Sequence, residues 1–260
     1  MKKGILLFMG CLVWLTLIFT AHTSHASSFS NSTAWIDWNT LSIWGIDIQW
    51  DYQESYSYAE AQDPWDSPWN EDFKDYWGET SSLASVTNAN GGANGTAWTN
   101  DSQLFEEVSA TSTGGDYWAG SLAKAELYGE FTALETGELT ISVDYYLTQD
   151  LQTENMGESA WGDSETWLEI WKDNYVDDSY DEHFLWNEVY DGESGSWNDS
   201  GTLEVTLFFN EGDAGYFSAG VMNWAEARVS SPVPEPSTML LLGVGLIGLV
   251  GCRHKQSKKA

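Results

Sequence analysis

From Thr202 to Phe209 apolar and polar side chains alternate, with Leu203, Val205, Leu207 and Phe209 set against Thr202, Glu204 and Thr206. This period of two constrains the fold more than any other feature of the chain. An extended strand sends successive side chains to opposite faces, whereas a helix would scatter these residues around its circumference. The same alternation recurs elsewhere. Ile46, Ile48 and Trp50 oppose Asp47, Gln49 and Asp51, while Ala123, Ala125, Leu127, Gly129 and Phe131 share one face. Leu139, Ile141, Val143 and Tyr145 share another. Turn formers separate these runs at Thr136-Gly137, Asp191-Gly192, Gly195, Asp199-Ser200-Gly201 and Asn210 to Asp213. Two longer interruptions read as loops: residues 62–78, with Pro64, Pro68, Trp65, Trp69 and Trp77, and the Asn- and Gly-rich residues 88–95. Between the two apolar ends no stretch carries a helical period. The pattern predicts an all-β chain, folded as a single β-sandwich or jelly-roll-like domain.

Apolar segments flank this domain. Met1-Lys2-Lys3 leads into an apolar run from Gly4 to Phe19, and Ser24-His25-Ala26 offers small residues for cleavage. Residues 1–26 therefore read as a secretory signal peptide. At the other end, Val233, Pro234, Glu235, Pro236, Ser237 and Thr238 precede an uncharged run from Met239 to Cys252. A basic tail, residues 253–260, follows with Arg253, Lys255, Lys258 and Lys259. The two prolines keep the peptide around Glu235 extended. As a transmembrane helix, residues 239–252 would reach about 21 Å, short of a hydrocarbon core of about 30 Å. Snorkelling by Arg253 and Lys255 closes that gap, and the basic cluster stops transfer on the cytoplasmic side. Gly243, Gly245 and Gly248 spell a G-x-G-x-x-G, but no βαβ unit surrounds it, so it is not a nucleotide fingerprint.

The order Pro-Glu-Pro, apolar span, basic end resembles the PEP-CTERM sorting signal of Gram-negative bacteria. The resemblance implies recognition by an exosortase-type membrane protease and transient anchoring in the inner membrane. It further implies cleavage near residues 233–238 and release to the cell surface or the extracellular polysaccharide. The chain would be the substrate of that processing. Gly137 to Tyr145, together with Phe209, Gly212, Gly215, Phe217, Ser218 and Ala219, also resembles a recurrent domain type of PEP-CTERM proteins over residues 120–230. Its matching glycines read as turns and its aromatics as core.

Residues 27–232 form an acidic, Trp-rich region. All 40 Asp and Glu lie between Asp37 and Glu235, opposed there only by Lys74, Lys124, Lys172 and Arg228. Such a surface repels nucleic acid and anionic lipid. Cys11 and Cys252 both fall in the end segments, which leaves the domain without disulfides or thiolate ligands. His183 is its one histidine, too few for a zinc or copper site, and it reads as a surface residue. No nucleophile elbow occurs and His183 has no obvious serine partner, so a Ser-His-Asp enzyme is not expected. A glycosidase needs two carboxylates, and with 40 present the sequence singles out none. No catalytic residue is assigned and the chain reads as non-enzymatic, a polysaccharide-active hydrolase or lyase being the alternative.

Two binding readings remain. Asp173, Asp177, Asp178 and Asp181 crowd a short acidic loop and supply the oxygen ligands that calcium takes. That would make a calcium-dependent assembly protein; no other cofactor is expected. Trp167 and Trp171 share a strand face with Glu169, and Trp186 lies on a neighbouring strand beside Asn187. With Leu168 and Ile170 turned to the core, these rings face outward. An exposed indole takes the C–H face of a sugar while carboxylates and amides take its hydroxyls. The expectation is an exported surface or matrix protein, structural or polysaccharide-associated.

Overall fold

The computed structural model describes residues 27–173 and 177–230. The expected signal peptide, the motif Val233 to Thr238, the apolar span and the basic tail lie outside these residues. The described residues form twelve strands. In chain order they are β1 Ser28–Trp44, β2 Ile48–Gln62, β3 Trp69–Lys74, β4 Thr80–Asn88, β5 Gly91–Asn100 and β6 Gln103–Ser112. The second half adds β7 Tyr117–Ala133, β8 Gly137–Thr153, β9 Glu158–Lys172, β10 Asp178–Tyr190, β11 Ser194–Phe209 and β12 Ala214–Val229. They build two six-stranded antiparallel sheets: sheet A, ordered β11-β8-β1-β6-β5-β4, and sheet B, ordered β10-β9-β12-β7-β2-β3.

The sheets pack face to face as a β-sandwich, as the alternation predicts. Its connectivity is that of a jelly roll with a displaced strand. Counting β6 as first and β12 as seventh, β1 occupies the eighth place, between β6 and β8. Strands β5 and β4 extend sheet A beyond this unit, and β2 and β3 extend sheet B. The N-terminal strand thus completes a roll begun 75 residues later, since β1 starts at Ser28 and β6 at Gln103.

The interior changes character along the strands. One end packs large side chains, including Ile36, Leu104, Phe131, Ile141, Phe209 and Phe217, each at most 1% exposed. Each such burial stabilises by about 1.5–3 kcal/mol. The other end is small and polar. Ser30 donates to Trp161 O at 2.7 Å, Ser121 to Ser109 O at 3.1 Å, and Gln149 to Leu185 O at 2.7 Å. Glu106 is wholly buried between the sheets and accepts from Ala125 N–H. Its Oε2 finds no hydrogen-bond partner, and burial holds its pKa well above the usual carboxylate range.

Several segments read as turns or loops are strands. β3 lies inside residues 62–78, and Trp77 packs 4.7 Å from Trp50 and donates Nε1–H to Tyr128 O at 2.7 Å. The sequence there mixes Pro, acids and aromatics without a clear period, because an edge strand needs no apolar face of its own. The Asn-Gly stretch turns at Asn88 to Asn90 and then runs straight into β5. Its glycines serve close sheet packing: a Cβ on Gly95 would lie 2.9 Å from Leu122 O and 3.0 Å from Glu60 O on the facing sheet. Gly195 and Asp199 to Gly201 lie within β11, whose unbroken register with β8 from Ser194 to Phe209 overrides their turn preference.

The open sheet edges are capped by side chains from the other sheet. Asp181 of β10 accepts the Glu204 N–H of β11 at 2.8 Å, and Ser179 accepts Thr206 N–H at 3.1 Å. At the far side, Asp72 of β3 accepts Ser81 N–H of β4 at 3.2 Å. These contacts occupy backbone donors that would otherwise template a further strand.

Candidate functional site

Antiparallel pairing places residues directly opposite one another on the same face, with Cβ atoms about 4.5–5.5 Å apart. On the outer face of sheet B this rule produces a checkerboard. Along β9 and β10 the successive outward pairs are Trp161 with Glu188, Asp163 with Trp186, Glu165 with Phe184, Trp167 with Glu182, Glu169 with Tyr180 and Trp171 with Asp178. Each of these pairs sets one aromatic ring beside one carboxylate. The inward residues between them include Leu168 and Ile170, both 0% exposed, so the expected orientation of β9 holds. The pattern continues on β2 and β7, where Tyr52 faces Glu130, Glu54 faces Tyr128 and Tyr56 faces Glu126.

Trp167 is the most deliberately seated ring on this face. Opposite it on β12 stands Gly220, where an added Cβ would fall 2.2 Å from the indole. The glycine lets the ring lie over the strand. Trp167 Nε1–H donates to Ser218 Oγ at 2.9 Å, and Ser218 Oγ–H donates to Glu126 at 2.9 Å. Glu126 in turn pairs with Lys124 Nζ at 2.7 Å, and that ammonium stands 5.3 Å from the Trp167 ring centroid. A relay from indole to hydroxyl to carboxylate therefore fixes the platform. Beside it opens a groove of about 300 Å³ lined by Glu54, Tyr56, Glu126 and Tyr128.

The other expected sugar contacts differ among themselves. Glu169 lies on the same face as Trp167, and Trp186, on the neighbouring strand, is 58% exposed. Trp171 stacks on Tyr216 at 5.5 Å and 15°, so one of its faces is already covered. Asn187 points inward and donates to Gln149 Oε1 at 2.7 Å, which removes it from the outer face. The sequence reading missed Phe184, 63% exposed between Glu182 and Trp186, and the glutamates opposite the rings. A signal for them existed: Tyr-x-Glu recurs. Tyr52 donates to Glu54, Tyr58 to Glu60, Tyr128 to Glu130 and Tyr180 to Glu182, at 2.6–3.1 Å. A two-residue spacing that joins hydroxyl to carboxylate marks one strand face.

Electrostatics follow from the crowding. Burial, then Glu182 and Asp163, raise the Glu165 pKa; burial, then Asp178 and Glu126, raise that of Glu169. Burial also raises Asp163 and Glu226. Lys124 near Glu165 and Arg228 near Glu226 offset these shifts only in part, and the excess of half-buried anions makes this a cation-seeking face.

The four aspartates read as calcium ligands are not brought together. Asp178 and Asp181 lie on β10, not in a loop, and three residues apart on a strand means opposite faces. Asp181 is spent on Glu204 N–H, Asp173 accepts the Tyr216 hydroxyl at 3.1 Å, and Asp177 lies 3.8 Å from Lys172 Nζ. Among the described residues no three His, Cys, Asp or Glu side chains are grouped to hold a metal ion. His183 is more than a surface residue: it stacks on Tyr145 at 4.6 Å, and its Nδ1 lies 3.3 Å from Asp199, which also accepts the Tyr145 hydroxyl at 2.9 Å.

Comparison with known proteins adds one firm point. Residues 232–255 match the PEP-CTERM protein-sorting motif, so the chain carries the sorting signal of an exported protein processed by an exosortase at the membrane. No curated protein matches the chain. Among solved structures, the GH31 alpha-xylosidase of Xanthomonas citri aligns at 8% identity and a TM-score of 0.14. That alignment covers 57% of this chain and 32% of the xylosidase chain. Vicilin from hazelnut, Corylus avellana, aligns at 6% identity and a TM-score of 0.11, covering 76% of this chain and 71% of vicilin.

Proposed function

We propose that this protein is a non-enzymatic β-sandwich that, once sorted to the cell surface or released outside, attaches to extracellular polysaccharide through the outer face of sheet B. The observation that carries this reading is the Trp167 platform, laid over Gly220 and fixed by Ser218 and Glu126 within a face of alternating rings and carboxylates. A partly exposed ring held in one orientation suits the C–H face of a sugar, and fixing it in advance lowers the entropy lost on binding. The sorting motif supports the setting, because it directs the chain through the membrane that separates it from that polymer.

The non-enzymatic part rests on the shape of the face. An enzyme gathers its perturbed carboxylates at a cleft. Here one carboxyl with a raised pKa, Glu106, lies sealed between the sheets, and the shifted outer ones are spread along a strand face. The test is sedimentation of the exported protein with polysaccharide from its own host. Wild type should be retained and Trp167→Ala largely lost to the supernatant, with the two proteins melting within a few degrees of each other. Equal retention of both would remove the platform from the account, and release of shortened sugar chains would overturn the non-enzymatic reading.

A further inference from the structure

We infer that the checkerboard of β9 and β10 selects a cationic, amine-bearing glycan over a neutral or acidic one. The inference rests on the reading of sheet B as a glycan surface and specifies its ligand. The argument is one of complementary donors. A neutral sugar presents hydroxyls that both give and accept hydrogen bonds, and its recognition draws on both kinds of partner. Along β9 and β10 this face offers mostly acceptors; the Trp186 indole N–H is the exposed exception there, and Arg228 stands at the end of β12 beside Glu226. Ionised carboxylates accept and do not donate. The tyrosine hydroxyls that could donate are already committed to carboxylates, as Tyr180 is to Glu182 and Tyr58 to Glu60. The Trp167 indole N–H is committed to Ser218. Lys124 is paired with Glu126.

An ammonium group supplies what this face lacks: three donors and a positive charge. It also gains from aromatic faces, by cation–π attraction of about 0.5–2 kcal/mol depending on its desolvation. Alternation then gives the arrangement its selectivity. A sugar ring lying on Trp186 or Phe184 carries its ammonium to the carboxylate directly across the strand pair, Asp163 or Glu165. Along the strands same-face positions recur about every 6.8 Å, two residues at about 3.4 Å each, so neighbouring sugars of a chain running along β9 and β10 meet successive ring–carboxylate pairs. Those same carboxylates are held partly out of water among like charges, and an ammonium relieves both costs at once. An acidic polysaccharide meets the reverse and is repelled. A basic peptide brings ammonium groups, but no rigid C–H face to lie on the exposed rings.

The test compares binding of the exported protein to a glucosamine hexamer and an N-acetylglucosamine hexamer by calorimetry at about pH 6, where the amine is charged. The glucosamine hexamer should bind at least about tenfold more tightly. That preference should vanish in the double variant Asp163→Asn/Glu165→Gln, and affinity for both sugars should fall in Trp186→Ala. If the N-acetylated hexamer binds equally or better, the inference fails while the glycan reading stands. If neither hexamer binds, both fail. If polylysine binds more tightly than the glucosamine hexamer and is indifferent to Trp186→Ala, the face is a general polycation surface and the inference is overturned.

Discussion

Sheets A and B both expose aromatic rings to solvent but surround them differently. On sheet A the central rings satisfy one another, Trp98 stacking on Phe105 at 3.9 Å and Trp35 on Tyr146 at 4.9 Å, while Phe29, Trp44 and Phe208 are exposed towards the strand ends. Their ring faces are turned to each other, and the surrounding positions mix neutral residues such as Asn31, Thr33, Asn94, Thr96, Ser109 and Thr148 with the carboxylates Glu107, Asp144 and Asp150. On sheet B some rings also pair, as Trp161 does with Trp224 at 5.7 Å, but β10 leaves Phe184 and Trp186 open and sets a carboxylate across from each. The contrast separates aromatics that hold strands together from aromatics left available to a partner. Cross-strand stacking contributes about 0.5–1.5 kcal/mol beyond area burial, which suffices to explain sheet A. It does not explain rings kept apart from one another by charge.

The contrast can be broken most forcefully at Gly220. Gly220→Val should displace the Trp167 ring and abolish retention on polysaccharide as completely as Trp167→Ala, read by the same sedimentation. The matched change on sheet A, Trp35→Ala, should leave retention unchanged and cost about 0.5–1.5 kcal/mol or somewhat more in stability, a fall in Tm of a few degrees by calorimetry. Loss of retention in Trp35→Ala would erase the distinction between the faces.

Acid should sharpen the same contrast with a smaller effect. Asp163, Glu165, Glu169 and Glu226 have raised pKa values, so they take up protons above the ordinary carboxylate range of about 3.9–4.3. Affinity for the glucosamine hexamer should therefore weaken as pH falls, beginning before ordinary carboxylates titrate. Glu165→Gln should shift the profile, and a substitution on sheet A such as Glu107→Gln should not.

The interior carboxyl gives a control with the opposite sign. Glu106 has a raised pKa in the folded protein, so its neutral form is the one that suits the fold. Its contribution is present below the unfolded carboxyl value of about 4.3 and is lost as pH rises towards the folded value. Glu106→Gln should accordingly raise Tm at neutral pH and change it little near pH 4, without touching glycan binding. The smallest effect is expected at the sheet edge. Asp181→Asn should cost no more than about 1 kcal/mol, because the group is exposed and an amide oxygen still accepts Glu204 N–H.

Much of this was legible in the sequence. The alternation from Thr202 to Phe209 and from Ala123 to Phe131 announced strands because burial on one face leaves an apolar trace at every second position. Trp167, Glu169 and Trp186 could be placed on one face because β9 and β10 are adjacent in sequence and pair in register. Three things left no readable trace. β3 is an edge strand whose outward residues are Trp69, Glu71 and Phe73, so it carries no buried period. The displaced β1, between β6 and β8, is a long-range pairing that no local pattern encodes. Gly95 and Gly220 look like turn formers, yet serve close approach, to the opposite sheet in one case and to an indole in the other. Proximity in sequence does not group the four aspartates in space, because a strand sends Asp178 and Asp181 to opposite faces.

The central claim is that the outer face of sheet B, and not that of sheet A, meets the glycan. Hydroxyl-radical footprinting with and without bound polysaccharide measures this at individual tryptophans. The account predicts protection of Trp167 and Trp186 with Trp35 and Trp98 unchanged. Protection of Trp35 and Trp98 while Trp167 and Trp186 stay as reactive as in the free protein would contradict it.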